Sequence, residues 1–415
     1  MLAKAVQTLI AAILVTTVGA ASYFGGYEAG RRSATPITSA AIATPTSDGL
    51  TSNNEYSRFK VFWEVWHLID KEYYDRKAID YDKMTYGAIK GMLEALNDPY
   101  TAFSTPSHAQ ITEEDMRGSF DGIGVTVEMK DKKLTVVAPQ EDSPGEKAGI
   151  KPGDIITAVD GKDTSNLSLL EAVGLIRGPR GTKVKLTIMR EGEPNPIEIE
   201  VTRSEIKVVN VKTKDLGSGI AYVKLNGFAA PSARELNDAV KRLVVDQKAK
   251  GLVFDLRNNP GGLLQAAVDV ASIFMRDGVV LYEDQKNGET IPFTVRKSAV
   301  VAPDIPLVVL INKGSASASE IVAGALQDNG RATLIGEQSF GKDTVQNVHE
   351  LSDKSSVRIT IAHWATPKRQ EIHQKGLNPD IEVKLTEDDV KAGRDPQVEK
   401  AVEFLKSKIS ASAEQ

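Results

Sequence analysis

The groups in this chain best placed for covalent chemistry lie between Ile311 and Gln346. Ser315-Ala-Ser317-Ala-Ser319 follows the apolar run Pro306–Ile311 across a Lys313-Gly314 break and leads into Glu320-Ile-Val-Ala-Gly-Ala-Leu326. The run reads as a buried strand, and serine followed by glutamate reads as a helix N-terminus, so the serines sit on a strand-to-helix turn. Such a turn exposes a hydroxyl, keeps its neighbours small and presents unpaired, partly positive N–H groups. Ser317 is the best placed of the three. A serine hydroxyl needs a base to take its proton, and none of the five histidines lies between His108 and His349. Lys342 can serve instead, twenty-five residues further on and after a second short strand, Ala332–Gly336, that would return beside the first. If Lys342 opens an extended segment, Lys342, Thr344 and Gln346 share one face, and the Gln346 amide can hold the lysine amine. The chemistry is acyl transfer, with serine as nucleophile and neutral lysine as base.

Other elements must bring an oxyanion site to that turn. Ile220–Leu225, a helix over 232–247 and the apolar strand Gly251–Leu256 suggest parallel pairing. The last strand ends in Arg257-Asn-Asn-Pro-Gly-Gly262, at the carboxyl end where α/β sheets place their sites. Glycine allows close backbone approach, so an N–H of Gly261 or Gly262 could join that of Ala318 in an oxyanion hole. Strands at Ser356–Ile361 and toward Val383 close the sheet, and a charged helix from Pro396 to Ile409 ends the chain.

The run Ser315–Glu320, the turn Gln327-Asp-Asn-Gly-Arg331, Phe340-Gly341-Lys342 and the glutamine four places later resemble the carboxyl-terminal processing proteases, serine peptidases with a Ser-Lys dyad and a PDZ domain. The resemblance spans roughly 59–383, and Gly91-Met-Leu93, Leu96 and Asp98-Pro-Tyr-Thr101 match its amino-terminal part. It implies Ser317 as nucleophile, Lys342 as general base, Gln346 as the base's orienting partner, and Gly262 and Ala318 as the oxyanion donors. Two departures stand out. Asp343 occupies a place where a small residue is expected, and a carboxylate there would raise the lysine pKa. His363-Trp-Ala-Thr-Pro-Lys-Arg replaces an aromatic-Thr-Pro-Ser-Gly pattern.

Gly118 to Arg203 resembles the PDZ domain itself. The glycine loop Gly122-Ile123-Gly124-Val125, the Ala148-Gly-Ile-Lys-Pro-Gly-Asp154 turn and a late helix with Leu169, Leu170, Val173 and Ile176 on one face come in the expected order. In that fold a peptide adds as a strand beside the glycine-loop strand, and loop N–H groups take its terminal carboxylate. Arg177 and Arg180 follow the helix at the junction with the core. The resemblance implies that Arg177 couples peptide binding to the active site.

A chain of 415 residues with 41% hydrophobic and 26% charged residues has room for two or three globular domains. Its net charge of −5 gives no general attraction to nucleic acid or anionic membranes, and the absence of cysteine excludes disulfides and thiolate chemistry. Ala5–Tyr27 carries no charge over 23 residues, enough to span a hydrocarbon core of about 30 Å. An uncleaved anchor over 1–32 with the body outside the cytoplasm is expected, and Val18-Gly-Ala20 leaves a cleaved signal open. Residues 33–54 read as a Ser/Thr/Ala/Pro tether, 55–116 as an N-terminal helical segment with Phe59, Phe62, Trp66 and Ile69 packed as a stripe, 117–205 as the PDZ domain, 206–385 as the peptidase core and 386–415 as a terminal helix and tail. The expected fold class is therefore α+β and multidomain, an α/β (crotonase-like) protease core with an inserted PDZ domain. Polypeptides with exposed carboxyl termini are the expected substrates, the membrane and a second copy of the chain the other partners, and no metal or organic cofactor is expected, HExxH and CxxC being absent. A non-catalytic PDZ scaffold and a crotonase-like acyl-coenzyme A enzyme are the competing readings.

Overall fold

The computed structural model describes residues 53–296 and 305–413. The expected anchor at 1–32, and nearly all of the tether, lie outside them. No helix among the described residues is long and apolar enough to cross a membrane.

The chain divides at Tyr81 into two compact units. The first holds α1 (Asn53–Glu72) and one 3-10 turn (Arg76–Ala78). Phe62 and Trp66 stack at 5.9 Å and Trp66 meets Tyr81 at 5.8 Å, but Phe59, Val61, Trp63 and Val65 are each half exposed or more. The expected stripe is thus only partly covered. Apolar residues surround the helix instead of keeping to one side, and a single packed face cannot cover them all.

The second unit, from Asp82, takes in α2 (Tyr81–Glu94) after its first residue, then β1 (Ala102–Ser104) and α3 (Pro106–Arg117). Proline at its first turn starts α3, and Gly118 in the left-handed region (φ 82) ends it. Next, β2 (Ser119–Gly122) pairs antiparallel with the later β9 (Ser204–Lys207), a two-stranded stem through which the chain enters and leaves the PDZ domain. That domain contains β3 (Val125–Lys130), β4 (Lys133–Pro139), α4 (Pro144–Lys147), β5 (Ile155–Val159), β6 (Lys162–Asp163), α5 (Leu169–Ile176), β7 (Lys183–Met189) and β8 (Ile197–Thr202). Its strands run β3-β4-β5-β7-β8 with β6 on β5, over a separate core that includes Ile123, Leu134, Ile156, Ala172 and Leu186. Ser168 and Glu171 form a capping box at the start of α5. Leu170, expected on the apolar face, is 48% exposed, and Ala172 turns inward.

After β9 come β10 (Val211–Asp215), β11 (Ile220–Leu225), α6 (Ser232–Lys241), β12 (Gly251–Asp255), α7 (Leu264–Phe274), β13 (Val279–Gln285), β14 (Thr290–Thr294), β15 (Leu307–Ile311), α8 (Ala318–Asp328), β16 (Thr333–Gly336), β17 (Thr344–Glu350), β18 (Ser356–Ala365), β19 (Ile381–Glu382), α9 (Glu387–Lys391) and α10 (Pro396–Ala413). The helix expected over 232–247 widens at Arg242–Asp246 into a π-helical turn. The central sheet has the order β10-β11-β12-β15-β16-β19, parallel from β11 onward. Its middle strands are buried on both faces, which is why they read as unbroken apolar runs. Helices α6, α7 and α8 cover one face through Leu236, Val270, Phe274 and Ile321. Helix α10 covers the other, setting Ala401 and Leu405 against Val253, Val308 and Ile335. A second sheet, β1-β18-β13-β14 with β17 on β18, stands at the end where the sequence places the site.

Candidate active site

Two parallel strands, β12 and β15, end side by side, and the turns that follow them are stitched together. Ser315 Oγ donates to the Leu256 carbonyl at 2.8 Å, and Ser319 Oγ donates to that of Asn259 at 2.8 Å. Ala316 N–H also reaches the Asn259 carbonyl (3.1 Å), and the Asn312 amide both accepts from Asn258 N–H and donates to the Asn258 side chain. Ser315 and Ser319 are fully buried. Their hydroxyls are therefore spent on the scaffold. Ser317 lies between them with φ 54 and ψ −112, a strained conformation for a non-glycine residue that the surrounding bonds must enforce. It opens into a cavity of about 350 Å³ shared with Lys342, Gln346, Gly261, Gly262 and Ala318.

Gly261 has φ +101, and a β-carbon there would lie 2.7 Å from the Ala316 carbonyl oxygen and 3.0 Å from the Ala318 nitrogen. Only glycine lets these turns approach so closely. Among the described residues, neither the Gly262 nor the Ala318 N–H has a hydrogen-bond acceptor, whereas Gly261 N–H is taken by the Asn259 side chain. Of the two glycines left open by the sequence, Gly262 is the one with a donor to offer.

Lys342 precedes β17. Its Nζ donates to Gln346 Oε1 at 2.7 Å, and Gln346 Nε2 donates to Thr344 Oγ1 at 2.7 Å, the one-face arrangement that period two anticipates. No hydrogen bond joins Lys342 Nζ to Ser317 Oγ. The Tyr100 ring lies 5.0 Å from the ammonium, held by Asp98, which accepts from Tyr100 N–H and from Thr101 Oγ1. Burial lowers the Lys342 pKa and the Arg358 charge lowers it further, against the attraction of Asp98 and Glu320. Asp343 acts differently from expectation. Its carboxylate is occupied by His363 and His373 and is not among the groups that raise the lysine pKa.

Glu320 is the functional group that sequence reading undervalues. It is fully buried and accepts four hydrogen bonds, from Ser317 N–H (2.8 Å), Ser339 Oγ (2.6 Å), Gly341 N–H (2.6 Å) and Lys342 N–H (3.0 Å). One carboxylate thus ties the Ser317 turn to the segment carrying Lys342. Burial pushes its pKa up while these donors pull it down. The Ser-x-x-Glu spacing announces a helix cap, but nothing local announces the three donors at 339–342.

The PDZ groove is a smaller cavity, about 240 Å³, between β3 and α5. Ile123, Gly124, Val125 and Arg177 line it; Gly122 stands behind, ending β2. The Ile123 and Gly124 N–H groups have no acceptor among the described residues. Arg177 leaves the groove for α3, donating to Glu114 at 3.2 Å and Asp115 at 2.9 Å, with its guanidinium 3.9 Å from the centre of the Phe120 ring. Thr112 and Met116, on the same helix, line the Ser317 cavity.

Residues 219–383 match the model of peptidase family S41, residues 135–190 a PDZ domain, and residues 16–105 the activating protease CtpB N-terminal domain. The chain is 40% identical to carboxy-terminal processing protease CtpA of Bacillus subtilis (strain 168) over 330 residues, 79% of this chain and 70% of that protein. It is also 40% identical to a carboxyl-terminal-processing protease of Synechocystis sp. over 321 residues, 76% of this chain and 74% of the other. Among solved structures it is similar to a photosystem II D1 C-terminal processing protease, with 30% identity, 78% of this chain and 92% of that one covered, and a TM-score of 0.47. Fold, cavity and relatives together define a serine peptidase that carries a PDZ domain. The chain belongs to the carboxyl-terminal processing proteases of peptidase family S41. The scaffold and acyl-coenzyme A readings lose their ground with that membership.

Proposed function

We propose that the protein is an endopeptidase that cuts exported or membrane-associated polypeptides near their carboxyl termini, using Ser317, Lys342 and Gln346. The observation that carries this is the sharing of one cavity by a strained serine at a helix start, a buried lysine held by a glutamine, and two unused N–H groups. In the reaction, neutral Lys342 takes the Ser317 proton as Oγ bonds to the scissile carbonyl carbon. The Gly262 and Ala318 N–H groups hold the oxyanion. The protonated lysine returns its proton to the leaving amine; water, deprotonated by the same lysine, then attacks the acyl carbon, and that proton passes to Ser317 Oγ as the acyl group leaves. Because no bond joins Lys342 to Ser317, substrate must turn the lysine from Gln346 toward the hydroxyl, consistent with catalytic contacts that tighten only in the complex.

The PDZ groove takes the substrate terminus by strand addition to β3, its carboxylate on the Ile123 and Gly124 N–H groups. Arg177 reports that event to the cavity through Glu114, Asp115 and α3. The N-terminal segment holds the enzyme at the membrane with its catalytic part outside the cytoplasm.

A fluorophosphonate probe should label Ser317 and no other serine, and cuts in a disordered polypeptide should cluster toward its carboxyl end. Labelling elsewhere, or cuts spread evenly along the substrate, sinks the assignment.

A further inference from the structure

The two departures from the family pattern meet in space. Asp343, beside the lysine, accepts from His363 on β18 (Nδ1 to Oδ2, 3.1 Å) and from His373 on the following loop (Nδ1 to Oδ1, 2.6 Å). One ligand atom from each of the three residues lies within 4.8 Å of the other two. The carboxylate is nearly buried, with 14% of its side chain exposed, while His363 and His373 are 57% and 46% exposed, so the cluster is anchored below and open above. The backbone holds the ligands independently of any ion. His363 pairs with Thr344 across β17 and β18, Trp364 N–H donates to the Asp343 carbonyl at 2.7 Å, and Gln374 N–H donates to that of Gly341 at 2.9 Å. Asp284, opposite His363 on β13, is already paired with Arg369 and is left out of the site.

We propose that Asp343, His363 and His373 form a binding site for a divalent transition-metal ion of the zinc class. Two imidazoles and one carboxylate suit such an ion and not calcium or magnesium, which prefer all-oxygen shells. Tetrahedral zinc at about 2.0–2.2 Å from each donor separates its ligands by about 3.3 Å, whereas the ligand atoms here lie from 2.6 Å to within 4.8 Å of one another, so the two exposed imidazoles must swing to close on the ion. On binding, each imidazole turns an Nδ1 lone pair to the ion and carries its proton on Nε2. Water fills the fourth position.

The ion would join three pieces of chain: the segment that carries Lys342, its partner strand β18 and the loop after Thr366. A β-carbon on Gly341 would already lie 2.8 Å from the Ile372 carbonyl oxygen, so loop and lysine segment are in contact without the metal. The ion converts that contact into a cross-link behind the proposed base. The site does not depend on Lys342 being the base, because binding is read without turnover.

The test is calorimetric titration of the chelator-treated full-length protein with Zn(II), alongside its thermal unfolding. One equivalent should bind and raise the melting temperature. His373→Ala and His363→Ala should each weaken binding by more than about 100-fold, beyond the loss expected for a residue that only supports a ligand. Both side chains are half exposed, so both variants should fold. His349→Ala, an exposed histidine outside the cluster, should bind as the parent does. No binding by the parent, or equal affinity in the parent and both histidine variants, overturns the proposal.

Discussion

The Ser317 cavity and the PDZ groove are held in opposite ways. Around Ser317, the fully buried Ser315, Ser319, Asn259 and Glu320 each satisfy a backbone group, and the turn they enforce has one arrangement. The groove is tied to the rest of its unit by Arg177, whose partners Glu114 and Asp115 are charged side chains on another helix. Buried bonds to backbone have no cheap substitute, because a lost partner leaves a desolvated group. The Arg177 pairs can be remade more cheaply, because one of the two carboxylates, Asp115, is 49% exposed and opens to water. On the proposed reading, chemistry sits on the part that cannot rearrange and control on the part that can.

The largest effects should follow from removing the reacting groups. Ser317→Ala and Lys342→Ala should each lower turnover on the order of 10⁴-fold or more, with the fold intact by circular dichroism. Lys342→Arg should be as inactive, since arginine does not give up its proton. An active arginine variant would move Lys342 from the chemistry to packing. Next comes Glu320→Gln. Its single amide oxygen cannot serve four donors, and the amide adds two hydrogens where donors already converge. Stability should fall by about 2 kcal/mol in urea unfolding, and turnover should fall further than substrate affinity. Equal loss in both, or none, would make Glu320 an ordinary helix cap.

What the sequence reveals about this site is what lies close together along it. The strand, the serine turn and the following helix are legible because Pro306–Leu326 is one continuous unit, and Gln346 is legible because four residues of extended chain return to the same face. The four-way bond at Glu320 is not, since three of its donors arrive from a segment about twenty residues later that only the sheet brings back. Tyr100 reaches Lys342 across more than two hundred residues for the same reason: β1 pairs with β18. Asp343 reads as a threat to the lysine when only its neighbours in the chain are considered, because His363 and His373 become its neighbours only once β17 and β18 pair. The partly bare α1 misleads in another way. Its residues have helical spacing, but spacing does not report whether anything covers the helix.

The finest test of the comparison lies in the two arginines after α5, which the sequence presents alike. Arg177 is 15% exposed and reaches α3, the helix that lines the cavity. Arg180 is 58% exposed and pairs with Asp121 and Glu205 on the stem, touching nothing that lines the cavity. Arg177→Ala should lower turnover of long substrates by roughly three- to tenfold, about 1 kcal/mol of coupling, while peptide affinity at the groove stays unchanged. Arg180→Ala removes only solvent-screened pairs, and its turnover should stay within about twofold of the parent. Both variants are to be measured on one long and one short substrate. If they behave alike, the path through Glu114 and Asp115 carries no coupling, and the groove only tethers. If Arg177→Ala slows the short peptide as well, which never enters the groove, the arginine sets the state of the cavity even without a bound terminus.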